Sequence, residues 1–268
     1  HPVAIYRDPT IQKPALNISA AIITYNEARN IERCLNSLIG VADEIVVVDS
    51  GSTDATVDIC RRYGCSVTTR PFTGYGSQRQ YAAGLAHNRY VLSIDADEVL
   101  SDNLRQSLMQ LKADGFSHRM YCFRVVNFIC GKPVVHSGLQ PDMQIRLFDK
   151  RYANWDLLDV GERLTYTGSV VPEPLEGDMY HFRCNEYGEY HIKEIRHAEL
   201  RGRLMAEAGI NAPMPMQWLR AACAYVRCQL RDGAILDGET GRRIALTRFR
   251  STITAYRTAR RIIKKDKN

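Results

Sequence analysis

No stretch of this 268-residue chain approaches the roughly 20 consecutive apolar residues of a bilayer-spanning helix. A charged-then-apolar signal segment is missing as well, although the start at His1-Pro2 is unusual and leaves the true N-terminus open. Cys-x-x-Cys pairs are absent among the eight cysteines, and Cys60/Cys65 and Cys223/Cys228 are spaced too widely for the usual zinc motifs. Several cysteines stand among apolar residues, as in Met120-Tyr121-Cys122-Phe123, and read as reduced core thiols of a cytosolic protein. Neither Gly-x-Gly-x-x-Gly nor Gly-x-x-x-x-Gly-Lys occurs, which argues against the usual dinucleotide and P-loop sites. Internal repeats and low-complexity tracts are also lacking. What remains, 45% apolar and 25% charged, is ample for one core with an appendage.

The net charge of +6 is unevenly placed. Residues 242–268 hold ten Lys or Arg against Asp266, a balance of +9, so everything before them sums to −3. Leu246, Phe249, Ile253, Tyr256 and Ile263 recur there at helical spacing, which predicts a basic amphipathic helix. Two compatible roles fit it: an apolar stripe packed on the body with a solvated basic face, and a peripheral anchor on an anionic membrane surface. Nucleic acid is a poorer partner, because aromatic and basic residues barely interleave and no nucleic-acid motif is present.

Along the chain, residues 1–17 form a Pro-containing lead-in. Strand and helix patterns then alternate over 18–23, 27–38, 44–48, 54–62, 65–69, 77–87, 90–94 and 101–112. That succession predicts an α/β unit with a parallel, doubly wound sheet and right-handed crossovers. Residues 119–128 and 143–148 read as longer strands that extend the sheet, and 150–185, with its aromatic, Gly and Pro content, as irregular. From 186 the pattern is helical, over about 186–208, 215–230 and 242–264.

Three of the strands end in polar loops. Ile18-Ser19-Ala20-Ala21-Ile22-Ile23 runs into Thr24-Tyr25-Asn26-Glu27. Glu44-Ile45-Val46-Val47-Val48 runs into Asp49-Ser50-Gly51-Ser52-Thr53-Asp54, and Tyr90-Val91-Leu92 into Ser93-Ile94-Asp95-Ala96-Asp97-Glu98. Ligands of open α/β sheets bind at that edge. Two Asp residues at i and i+2 can share a hard divalent cation that also bridges phosphate oxygens. With 17 Asp in the chain about one Asp-x-Asp is expected by chance, so the weight comes from the neighbouring loops.

These three segments, in this order and spacing, resemble glycosyltransferase family 2, whose members have the GT-A fold and invert the anomeric centre. The match is strongest over residues 18–112. It continues through Gly76-Ser77-Gln78-Arg79-Gln80, Pro141-Asp142-Met143-Gln144-Ile145-Arg146-Leu147-Phe148 and Leu236-Asp237-Gly238, where the chain looks like the bacterial branch that includes lipopolysaccharide core β-1,4-glucosyltransferases. The resemblance implies a GT-A catalytic unit over 18–185, with a nucleotide-sugar half (18–112) and an acceptor half (113–185), followed by a helical, membrane-associating region (186–268).

For the site, the resemblance implies Asp97 as metal ligand, with Asp95 helping through the ribose or the metal's water shell. Asp49 would meet the base or ribose, and Thr24, Tyr25 and Glu27 would line the nucleotide pocket. Asn26, Gly51 and Asp54 belong to the same nucleotide-sugar loops; for Asn26 and Asp54 a local capping role competes. Arg79 and Gln80 are either donor contacts or part of a solvated helix face. The family's His-Glu pair after the sheet is matched only by Gly161-Glu162, so Glu162 is the candidate base, with Asp159 and Asp156 as competitors. His181 matches a later His-aromatic position, either as a third metal ligand or as a structural residue. Arg146, Lys193, Arg196 and Arg201 are candidates for phosphate contact.

The function implied is an inverting, metal-dependent (Mn or Mg) transfer of a hexose from a nucleotide sugar, UDP-hexose first among donors. The acceptor would be a lipopolysaccharide-core or lipid-linked saccharide at the cytoplasmic face of the inner membrane. The alternatives are a sugar-nucleotide transferase that makes the donor, and a non-catalytic nucleotide-sugar-binding scaffold.

Overall fold

The computed structural model describes residues 17–139, 141–158, 161–168 and 170–265. The lead-in expected over 1–17 therefore lies outside the described residues except for its last position. The first half alternates as the periodicity predicts: β1 (Ile18–Thr24), α1 (Ile31–Leu38), β2 (Glu44–Asp49), α2 (Thr56–Arg62), β3 (Ser66–Thr69), α3 (Tyr75–Leu85) and β4 (Tyr90–Asp95). A short β5 (Glu98–Leu100) precedes α4 (Asp102–Asp114). β6 (Met120–Ile129), β7 (Lys132–Pro133), β8 (Asp142–Asp149), β9 (Ala153–Trp155), β10 (Leu164–Tyr166) and β11 (Glu173–Cys184) follow. The chain closes with α5 (Tyr187–Glu207), α6 (Met214–Leu230), a 3-10 turn at Ala234–Asp237 and α7 (Gly238–Lys265).

The main sheet runs β3-β2-β1-β4-β8-β6-β11-β5, with β7 paired to β6. β3, β2, β1 and β4 are mutually parallel, whereas β8 is antiparallel to both β4 and β6. Both faces of the parallel half are covered, which is why its strands read as nearly unbroken apolar runs. Alternate residues go to opposite sides. Ile18, Ala20 and Ile22 pack with Leu35, Leu38 and Leu104 on one face, while Ala21, Val48 and Val91 pack with Ala82, Ala83 and Phe148 on the other.

Register places the functional edge. Thr24 lies opposite Asp49, and Ile23 opposite Asp95, so the three polar loops leave the sheet side by side.

Two expectations are corrected. The helix expected from residue 27 begins at Ile31, because Glu27 to Asn30 form a turn in which the Asn30 and Ile31 amides donate to the Glu27 carbonyl. The region expected to be irregular, 150–185, contains β9, β10 and the twelve-residue β11. Pro174, Gly177 and interspersed charges hide the strand pattern of β11. Its backbone is held by parallel pairing to β6 and antiparallel pairing to β5.

The C-terminal helices pack as a layer in which α7 lies against both α5 and α6. Here too the expected contact changes. The buried seam of α7 is made mainly of small residues, among them Gly241, Ala245, Ser251, Ala255 and Ala259. Of the expected stripe, Ile253 is buried and Phe249 meets Trp218 with ring centroids 5.8 Å apart, but Leu246 is exposed. Close approach replaces large-side-chain packing. A Cβ on Gly202 of α5 would stand 2.6 Å from the Ala255 carbonyl oxygen and 2.7 Å from Thr258 Cβ. Gly202→Val should therefore force the helices apart and cost about 2–3 kcal/mol, the upper part of the overpacking range. Urea unfolding followed by far-UV circular dichroism measures this, and Gly188→Val, where a Cβ meets nothing within 4 Å, serves as the comparison.

Candidate functional site

Each polar loop at the sheet edge is stabilised locally. Asp49 is buried, and its Oδ2 accepts from the backbone amides of Gly51 (3.0 Å) and Ser52 (2.9 Å) while Oδ1 accepts from the Ser52 hydroxyl. Gly51 sits at φ +89°, a conformation that glycine enters without a Cβ penalty. Asn26 is left-handed at φ 54°, which Asn tolerates better than most residues. Its amide donates to Ser52 Oγ (2.8 Å) and its Oδ1 accepts from the Thr53 amide (2.8 Å). Asp54 Oδ2 accepts from the Ala28 amide at 3.1 Å, and Oδ1 accepts from the amide and hydroxyl of Thr56. Asn26, Asp49 and Asp54 thus bind the first two loops to themselves and to each other. Thr24 is buried with its hydroxyl unpartnered, and Tyr25 is exposed beside it.

The third loop is organised by buried charges. Glu98, fully buried, accepts the Asp95 amide on Oε2 (2.8 Å) and Arg146 Nη2 on Oε1 (2.7 Å). Burial first, and then the Asp95 charge, push the Glu98 carboxyl up, with Arg146 opposing them. The backbone carbonyl of Asp97 accepts from the Phe182 amide (2.9 Å), and His181 pairs across the sheet with Glu98. Those contacts bring the His181 Nε2 to 3.4 Å from Asp97 Oδ2. Lys193, from α5, stands 3.5 Å from the same oxygen and 3.2 Å from Glu27 Oε1. Burial works against the Asp97 charge, but His181, Lys193 and Arg183 outweigh it and hold the carboxyl below its usual range. Glu27 is pushed the other way, by burial and then by Asp97.

Arg79 joins the remaining pieces. It is 7% exposed, donates from Nη2 to Asp95 Oδ2 at 2.6 Å and from Nε to Glu162 Oε1 at 3.0 Å, and lies over the Trp155 ring at 5.0 Å. Burial opposes its charge, yet the two carboxylates keep it firmly protonated. Glu162 Oε2 has no hydrogen-bond partner among the described residues. Arg79 is thus no solvated helix residue, while the Gln80 amide donates to the Trp155 carbonyl (2.9 Å) rather than facing this cluster. Asp156 accepts from its own loop at the Leu158 amide (3.3 Å), and Asp159 lies outside the described residues. Gln144, Arg146, Arg183, Asn127 and His181 join Arg79 and Asp95 around a cavity of about 390 Å³.

Asp97 and His181 form a candidate pair for a cation. Two donors about 2.1 Å from a shared ion are separated by roughly 3–3.4 Å, which suits the observed 3.4 Å. Asp95 Oδ1 is buried without a partner beside them. No cluster of three or more His, Cys, Asp or Glu closes around one point among the described residues. An oxygen- and nitrogen-liganded ion with most of its shell left for water and phosphate is the matching type.

Several members of the site carried no motif. Tyr75 Oη is 3.1 Å from His197 Nε2, and Tyr75 is pushed up by burial, then by Asp95 and Glu162. Arg183 lies two residues beyond His181 on β11, so reading 173–184 as a strand would have put both on one face.

The Glycosyl transferase family 2 model matches residues 19–163, more than half of the chain. The chain belongs to that family. An uncharacterized glycosyltransferase of Rickettsia bellii (strain RML369-C) is 36% identical over 140 residues, covering 52% of this chain and 48% of its own. The chain spans about half the length of such Rickettsia relatives. The lipopolysaccharide core biosynthesis glycosyltransferase LpsC of Rhizobium meliloti (strain 1021) is 29% identical over 257 residues, 93% of both chains. Among solved structures, S. aureus TarS 1-349 in complex with UDP is 15% identical with a TM-score of 0.44, covering 94% of this chain and 92% of that one.

Removing the Arg79 charge should strand two carboxylates. Arg79→Met is expected to cost about 3–5 kcal/mol, as when one partner of a buried ion pair is lost. Arg79→Met combined with Asp95→Asn and Glu162→Gln should recover a large part of that. Urea unfolding of the single and triple variants measures the coupling.

Proposed function

We propose that this protein transfers a hexose, with inversion, from a nucleotide sugar to a lipopolysaccharide-core or lipid-linked saccharide, and that UDP-hexose is its donor. The observation that carries this reading is the convergence of the loops after β1, β2 and β4 on Asp95 and Asp97, with Glu162 tied to Asp95 through one guanidinium. The similarity to LpsC over nearly the whole of both chains supports the acceptor class.

The donor's nucleoside lies along the loops of Thr24 to Glu27 and Asp49 to Asp54, which hydrogen bonds tie to each other. Asp97 and His181 hold the divalent ion, Mn or Mg, with Asp95 beside them. When bound, the ion offsets the charge that develops on the leaving diphosphate. Lys193, on Asp97 and Glu27, supplies a second cation near that charge.

Glu162 takes the proton of the acceptor hydroxyl. Arg79 orients it through Oε1 and leaves Oε2 for the acceptor. The neighbouring cavity of about 390 Å³, lined by Asn127, Gln144, Arg146 and Arg183, receives the saccharide. Association with an anionic membrane at the cytoplasmic face, to which the basic residues of 242–268 contribute charge, completes the reading. No helix among the described residues is long and apolar enough to cross a membrane.

Three outcomes test this. UDP should raise the melting temperature only with Mn²⁺ or Mg²⁺ present. Saturation at 100 times the dissociation constant contributes about 2.7 kcal/mol, a shift of several degrees. Asp97→Asn should remove the metal-dependent part, and an equal shift in EDTA would sink the metal assignment. Glu162→Gln should lower turnover by roughly 10²–10⁴ while UDP binding persists; unchanged turnover would pass the role to another carboxylate. In a donor panel, release of nucleoside diphosphate supports the transferase reading. Pyrophosphate would indicate a donor-making enzyme, and no product a binding scaffold.

A further inference from the structure

Helix α6 carries an apolar row on its outward side. Met216, Leu219, Val226 and Leu230 are 40%, 57%, 51% and 71% exposed, with the exposed Cys223 completing the spacing of three, four, three and four residues. That spacing defines one helical stripe. The inward face is made by Gln217, Ala221 and Cys228, so the stripe points away from the protein. Leu236, 73% exposed, extends it beyond the helix end.

The charge beside this row is predominantly positive. α6 contains no Asp or Glu, and Arg220, Arg227 and Arg231 run along it. From Gly209 to Lys265 the only acids are Asp232, Asp237 and Glu239. Each is engaged: Asp232 with Arg248 (2.6 Å), Asp237 with the His136 amide (3.2 Å) and Ser137, and Glu239 with Arg242 (2.8 Å) and Arg243 (2.6 Å). Arg227 and Arg231 make no ion pair among the described residues. They line, with Leu230, Leu236, Val135 and the Arg248-paired Asp232, a cavity of about 760 Å³ at the end of the helix.

A second copy of this chain seated through the same face would bring arginine against arginine, and of the three acids nearby only Asp237, already accepting from His136 and Ser137, has no cation partner. An anionic lipid surface answers both features, with acyl chains for the leucines and phosphate for the guanidinium groups. We propose that α6 and this cavity form the membrane-seating face of the protein. The loop that supplies Val135 and His136 to the cavity also supplies Gly138 and Leu139 to the 390 Å³ cavity beside Asp95. Seating through α6 therefore sets the acceptor cavity next to the lipid surface, a consequence that rests on the function proposed above; the seating itself does not.

Cosedimentation of the full chain with phosphatidylglycerol-containing vesicles, against phosphatidylcholine alone, tests the face. Binding should require the anionic lipid and fade as salt rises. Arg227→Glu with Arg231→Glu should weaken it by at least about 30-fold, from roughly 1 kcal/mol per basic residue. Leu219→Glu with Leu230→Glu should weaken it tenfold or more, and Arg257→Glu with Lys264→Glu on α7 by less than either. Circular dichroism and thermal unfolding establish that these surface variants fold. Unchanged vesicle binding in both α6 pairs, or loss only in the α7 pair, would overturn the assignment. So would a dimer of the unaltered chain, seen by analytical ultracentrifugation, that Leu219→Glu with Leu230→Glu dissolves. The metal-dependent UDP shift of the unaltered chain is read separately, so its failure would count against the catalytic reading alone.

Discussion

The site depends on one buried guanidinium. Arg79 is delivered by α3 from the face of the sheet opposite α1, and it meets carboxylates from two distant stretches, Asp95 at the end of β4 and Glu162 in the loop before β10. Either carboxylate buried without it would carry a desolvation penalty of several kcal/mol. The ion pairs thereby hold a loop with little regular structure against the sheet edge. Gly76 makes the approach feasible: a Cβ there would fall 2.2 Å from the Asp156 carbonyl oxygen. α3 can thus lie directly on the 156–158 backbone, with the Gly76 amide donating to Leu158 (3.1 Å).

The Asp-x-Asp turn has a second support of the same kind. Glu98 is acceptor to the Asp95 amide and partner to Arg146, so the turn is fixed from inside while Asp97 faces out toward His181 and Lys193. The two acids of the motif consequently differ. Asp95 is ion-paired with Arg79, whereas Asp97 faces His181 and Lys193, which hold its carboxyl below the usual range. Asymmetry of this sort suits a site where one carboxylate is structural and the other meets a ligand.

The C-terminal helices are part of the same construction. α5 contributes Lys193 and His197 to the site and presents Gly202 to α7, while α7 spends its small residues on that contact. With α7 enclosed between neighbours, the outermost apolar surface passes to α6. The basic character that composition assigns to the tail is shared with the arginines of α6.

The alternation of strands and helices over residues 18–112 and the three polar strand ends were legible in the sequence. Apolar runs buried on both faces, and polar breaks after them, are local signals. So was the candidacy of Asp95, Asp97, Glu162, Arg79 and His181, although through motif resemblance rather than physical contact. Pairings between distant segments were not legible. β11 became a strand because β5 and β6 supply partners for its backbone, a non-local gain that overrides Pro174 and Gly177. That pairing alone places His181 opposite Glu98 and within reach of Asp97. Helical periodicity identified α7 but misassigned its buried face, because close packing selects small residues, which hydrophobicity hardly marks. Local chemistry set the elements and the reactive groups; tertiary structure decided which charge answers which, since that depends on distance and burial.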